Sequence, residues 1–152
     1  FEDQTLEFVL YAYDFTDAGV ACTSPATAPG VARTVFSELA AQGVDLIVAE
    51  TGDGIMGEYG VQAILADPEL MAWGAAFILC ANDPVGVAGG VRDLQQRYGI
   101  QVDVVAGPAT DNRVGVRFVE DALGLPAINA RTHAQALGDL VAGKVQSRSG
   151  HA

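Results

Sequence analysis

From Val44 to Glu50 the chain runs almost without polar interruption, with Leu46, Ile47 and Val48 in a row, and then breaks into a loop carrying Gly52, Gly54 and Gly57. A continuous apolar run bounded by glycines is the pattern of a parallel strand covered on both faces. Such a strand demands helices above and below it, which limits the folds open to the chain. In open sheets of this kind ligands bind beyond the carboxyl ends of the strands. Glu50, Asp53 and Glu58 therefore fall where chemistry would be done.

The same beat recurs along the chain. Apolar or β-branched runs at residues 6–13, 44–50, 75–81, 101–106 and 126–130 read as strands. Between them lie helical patterns. Val31, Val35, Phe36 and Leu39 recur at helical spacing, predicting a helix over 31–42 stopped by Gly43. Residues 61–66 predict a short helix, and Asp67, Pro68 and Glu69 are a suitable N-cap, N1 and N2 for another reaching Trp73. A helix over 87–98 closes at Gly99. Asp111 or Asn112 caps a helix to Leu123 in which Val114, Phe118 and Ala122 share a face, and Thr132 caps a last helix over 134–145. Alternation of this kind predicts an α/β fold: a parallel five-stranded sheet with helices on both faces, a three-layer sandwich. No internal repeat or long linker interrupts it, so residues 1–146 read as one domain and 147–152 as a disordered tail.

Composition narrows the function. With 152 residues, half of them hydrophobic, the chain can bury a sizeable core. No apolar run reaches the roughly 18 residues of a membrane span. The first six residues lack the basic cluster of a signal peptide, although the chain opens on Phe1 and not on Met. A net charge of −11 argues against nucleic acid and anionic membranes, which require a basic footprint; its plainer meaning is solubility. Cys22 and Cys80 are the two cysteines, and Cys80 lies in an apolar run where a thiol is usually a small buried hydrophobe. No disulfide framework is expected, and a reducing cytoplasm fits.

Carboxylates carry the sharpest chemical signal. Asp14 and Glu50 each follow an apolar run, and two such groups in one pocket suit Mg²⁺, which takes one or two protein carboxylates together with phosphates. The alternative is that strand-end acids cap turns, and it is preferred for Asp17 and Asp53. A Glu ending a buried run is costly without a partner, which tips Asp14 and Glu50 toward function. Gly52-Asp53-Gly54 would let a ligand approach the backbone closely. Residues 84–90 (PVGVAGG) would offer free N–H groups to an anion, though close helix–sheet packing accounts for the glycines equally well. Neither loop has the spacing of a dinucleotide fingerprint or a phosphate-binding loop. His133 and His151 pair convincingly with neither Cys22 nor Ser24, and no Cys/His spacing suggests zinc.

Three short segments, DFTDAG (residues 14–19), AETGDG (49–54) and AND (81–83), together resemble the dethiobiotin-synthetase-like P-loop NTPases, and among them an uncharacterised branch with a comparable DFTDAG segment. The likeness covers roughly residues 6–140. It implies an ATP- and Mg²⁺-dependent enzyme in which Asp14 and Glu50 hold the metal and Gly52, Asp53 and Gly54 lie near the acceptor substrate. It also implies that Asn82, Pro84, Gly107 and Pro108 touch the nucleotide base. The family's Gly-x-x-x-x-Gly-Lys-Ser/Thr loop occurs nowhere in the 152 residues and would belong upstream of Phe1. Without its N–H groups and lysine, triphosphate binding loses its main electrostatic support.

Two readings stand. The first is part of a Mg²⁺-dependent, nucleotide-binding, ligase-like enzyme acting on a small carboxylate or amine. The second is a non-catalytic domain that binds a small ligand or assembles with a partner chain, and a homo-oligomer is compatible with it through Tyr11, Tyr13 and Phe15 at an uncovered edge. A Rossmann-type dinucleotide domain ranks below both, since no Gly-x-Gly-x-x-Gly follows any strand.

Overall fold

The computed structural model describes residues 19–20 and 23–149. The expected strand at 6–13, and with it Asp14, Asp17 and Cys22, lies outside the described residues. The chain divides into two compact units, Phe1–Leu70 and Met71–Ala152.

In the first unit, α1 (Ala28–Ala41) buries Ala28, Ala32 and Val35 on one face and ends at Gln42, followed by Gly43 at a φ of 76°. Two short helices, α2 (Val61–Leu65) and α3 (Pro68–Ala72), follow a long loop. Gly60 opens α2 at a φ of 104°, and a Cβ there would stand 2.6 Å from that of Ala28. That close approach seats α2 on the start of α1. Arg33 reinforces the contact by reaching the carboxylates of Asp67 and, at 2.8 Å, Glu69. The hydrogen bond that Arg33 donates to Glu69, together with the charge of Asp67, holds the guanidinium above its ordinary pKa. Asp67 also accepts the Glu69 and Leu70 N–H groups at 3.1 Å, capping α3 as its sequence predicts.

The second unit is built on one βαβ element. Strand β1 (Ile78–Cys80) pairs in parallel with β2 (Val104–Ala106), Leu79 opposite Val105, and α4 (Pro84–Tyr98) connects them. A 3-10 turn (Pro108–Thr110) leads to α5 (Arg113–Leu123), and α6 (Ala134–Ser149) closes the described chain. The core gathers around β2, whose Val104, Val105 and Ala106 are at most 1 % exposed, against Val87 and Leu94 of α4 and Val119 of α5. Each fully buried valine contributes roughly 2 kcal/mol.

The five-stranded, three-layer expectation is overturned. Among the described residues the sheet has two strands, extended by one parallel bridge between Val105 and Ala127. The 126–130 run thus contributes a single pairing. Residues 44–50 form no strand: Val48 is 86 % and Leu46 53 % exposed, and the segment makes no backbone hydrogen bond with another described residue. An apolar run becomes a strand only when a neighbouring chain takes up its N–H and C=O groups. Residues 75–81 are not wholly buried either. Among the described residues β1 pairs only with β2, and Ile78 and Cys80, which share one face of the strand, are exposed, which also reverses the buried placement expected for Cys80.

The helices depart less. Pro84 begins α4 three residues early, because Asp83 accepts the Val85 and Gly86 N–H groups at 2.8 Å and caps it there. The glycine-rich 84–90 stretch is therefore the first half of a helix, and its first free N–H groups are taken by the chain's own carboxylate. In α5 the buried stripe is Gly115 and Val119, while Val114 is 76 % exposed, so the packed face is turned one residue from the expected one. Helix α6 runs to Ser149, into the stretch expected as tail. Among the described residues no helix is long and apolar enough to cross a membrane.

Candidate functional site

The carboxyl ends of β1 and β2 meet. The Ala109 N–H donates to the Ala81 carbonyl at 2.9 Å, and the Ala81 N–H reaches the Ala106 carbonyl at 3.4 Å. Gly107 lies between them at φ 79° and ψ −173°, a conformation essentially closed to other residues. A Cβ on it would come within 3.0 Å of the Ala81 nitrogen. The turn after β2 is thereby pressed against the turn after β1. Asn82, Pro84, Gly107 and Pro108 consequently share one rim, with Asn82 and Pro108 exposed.

A third segment locks this rim. Thr110 is 4 % exposed, and its hydroxyl donates to the Gly107 carbonyl at 2.7 Å. The Asn129 amide donates to the Thr110 carbonyl at 3.3 Å and to the Asp111 carboxylate at 2.7 Å. Its carbonyl oxygen accepts the N–H groups of Arg131 at 2.9 Å and Thr132 at 3.1 Å. Asn129 thus ties the turn after β2 to the approach to α6. The sequence reading places it inside a strand and misses it. Its signal is an asparagine directly before the polar stretch Ala-Arg-Thr-His, where an Asn side chain commonly bonds the backbone two and three residues on.

The other expected site residues are not gathered there. Asp14 is outside the described residues. Glu50 is exposed and has no hydrogen-bond or ion-pair partner among the described residues. Gly52 and Gly54 have open space around them. Asp53 organises its own loop, accepting the Gly54 N–H at 2.8 Å and the Tyr59 N–H at 3.3 Å. A Cβ on Gly57 would collide with that carboxylate at 1.7 Å, so the glycine is there to admit it. This is the structural role that the sequence favours for Asp53. Among the described residues no three His, Cys, Asp or Glu side chains are grouped to hold a metal ion.

At the rim the charged groups are spoken for: Asp83 by the first turn of α4 and Asp111 by Asn129. What is exposed there is Asn82, an amide that both donates and accepts, and Pro108, with Pro84 half-buried. That combination suits a flat heteroaromatic edge. It contains no activated nucleophile and no general base. Comparison with family models, with characterised proteins and with solved structures finds no match to the chain.

Proposed function

We propose that the chain is the nucleotide-base-binding portion of an ATP-dependent, ligase-like enzyme whose substrate is a small carboxylate or amine. The observation that supports this reading is the approach of Gly107 to Ala81. It draws Asn82, Pro84, Gly107 and Pro108 into one rim at the carboxyl ends of two parallel strands, where ligands of such sheets bind. Asn82 supplies the hydrogen-bonding edge and the prolines supply flat contact. Phosphate binding and metal-assisted transfer need groups beyond the described residues. One observation favours the second reading, a non-catalytic ligand-binding or assembly domain: Glu50 stands alone and Asp53 is committed to its own loop.

Titration of the ¹⁵N-labelled chain with adenosine, ATP and ATP plus Mg²⁺ tests this. Base-only recognition predicts that all three bind alike, with dissociation constants of about 1 mM, some −4 kcal/mol. Amide shifts should be confined to residues 81–86 and 106–112, and Asn82→Ala should weaken binding several-fold. Absence of shifts with all three ligands would reject the proposal and leave the non-catalytic reading.

A further inference from the structure

The chain carries eight Lys and Arg residues against nineteen Asp and Glu. Four of the eight, Arg33, Arg97, Lys144 and Arg148, are paired with carboxylates. With acids in such excess, a guanidinium that finds no carboxylate stands out. Among the described residues Arg113 and Arg117 form no ion pair, and both line the same open groove of about 550 Å³ between α5 and residues 127–136.

Their position is unfavourable by local rules. Arg113 is the first residue of α5, whose first turn holds no acidic side chain, so its charge sits at the positive end of the helix dipole. Arg117 is four residues on, a like charge on the same face. Two acids also line the groove. Asp111 is held by Asn129 at 2.7 Å, and Glu120, one turn beyond Arg117, forms no ion pair with either arginine. Local frustration that the fold does not relieve is a mark of a binding site.

The rest of the groove gives the ligand its shape. Val116, Ala127 and Ile128 contribute an apolar floor, and His133 stands at the rim, held at Nδ1 by the Thr132 hydroxyl at 2.8 Å. Paired guanidiniums match the oxygens of a carboxylate or a phosphate. We propose that this groove binds a small organic oxyanion, its charged head on Arg113 and Arg117 and its apolar body on Val116 and Ile128. Neither Asn82 nor Gly107 lines the groove, although Thr110, Asp111 and Asn129 line it and also brace that rim; the proposal does not depend on the nucleotide reading.

The test is an NMR titration of the intact chain with hexanoate, hexyl phosphate and inorganic phosphate. Shifts over residues 112–120 and 127–136 with either organic probe, weakened at least tenfold in Arg113→Ala/Arg117→Ala, would support the proposal. Hexanoate tighter than hexyl phosphate would identify a carboxylate ligand, and the reverse a phosphate ester. Both arginines are exposed, and an unchanged amide spectrum elsewhere would show that the double variant folds. Arg92→Ala, a change on another helix, should leave binding intact. No shifts with either organic probe, binding by inorganic phosphate that the organic probes do not improve upon, or binding that survives the double substitution would each overturn it.

Discussion

Two glycines with opposite expected responses to alanine show how much a single position depends on what surrounds it. Gly89 lies in α4 with nothing within 4 Å of where a Cβ would sit, whereas a Cβ on Gly115 in α5 would stand 1.9 Å from the Ala109 carbonyl oxygen. In a helix interior alanine is preferred to glycine by about 1 kcal/mol, so Gly89→Ala should raise stability by roughly that amount. At Gly115 the obstacle is backbone, which no rotamer change relieves. Overpacking of this kind costs about 1–3 kcal/mol, so Gly115→Ala should be net destabilising, with α5 pushed off the turn that carries Pro108 and Thr110. Urea denaturation of the two variants beside the parent checks this, and a Gly115→Ala protein as stable as Gly89→Ala would refute the packing described. The same scale explains what was readable of the site. Asp53 as a turn acid and Asn112 as one of two candidate helix caps were legible, since both act on N–H groups within a few residues. Asn129 was not, because two of its bonds reach residues 18 and 19 positions away.

At the scale of elements, one buried acid helps to hold α6 to its unit. Asp103 is 8 % exposed; its carboxylate accepts the Phe77 N–H at 2.9 Å and meets Lys144 at 3.3 Å and Arg148 at 3.4 Å. Its own N–H donates to the Phe77 carbonyl at 2.8 Å, continuing the β1–β2 pairing by one residue, and Arg148 also lies 5.9 Å from the centre of the Phe77 ring. None of residues 134–148 of α6 is buried, and Arg148 also donates to the Gly74 carbonyl at 3.1 Å, so polar contacts of this kind contribute to its attachment. Asp103→Asn keeps the shape but removes the charge; charged hydrogen bonds are worth about 1.5–3 kcal/mol, so a loss of about 2 kcal/mol is expected. Lys144→Ala should cost under about 1 kcal/mol, because that side chain is nearly half exposed. Hydrogen exchange should show residues 141–149 losing protection in Asp103→Asn while α4 keeps its own; uniform loss would mean the acid stabilises the core and not the helix. The elements also show why the helices were legible and the sheet was not. A helix closes its hydrogen bonds four residues back and announces its ends, as Asp67, Asn112, Gly99 and Gly124 do, although the sequence reading passes over the cap at Asp83. A strand is defined by a neighbour elsewhere in the chain, and nothing within residues 44–50 says whether that neighbour exists.

For the whole molecule, the consequence is a surface on which strong charge and exposed apolar side chains coexist. Leu46, Val48, Met56 and Tyr59 all lie within the loop region before α2, each more than half exposed. Apolar surface of this kind favours association, while a net charge of −11 on every copy opposes it. Salt decides between the two, because the screening length shrinks from about 30 Å at 0.01 M to about 3 Å at 1 M ionic strength. Repulsion between copies is therefore suppressed at high salt, and the apolar attraction is not. Sedimentation velocity should show a monomer at low salt and a concentration-dependent larger species at high salt. Leu46→Gln/Val48→Lys should return the chain to monomer at both, since the change removes two of the exposed apolar groups at positions that no described hydrogen bond uses. Association that falls with salt, or that persists in the double variant, would locate the contact elsewhere and make it electrostatic in the first case.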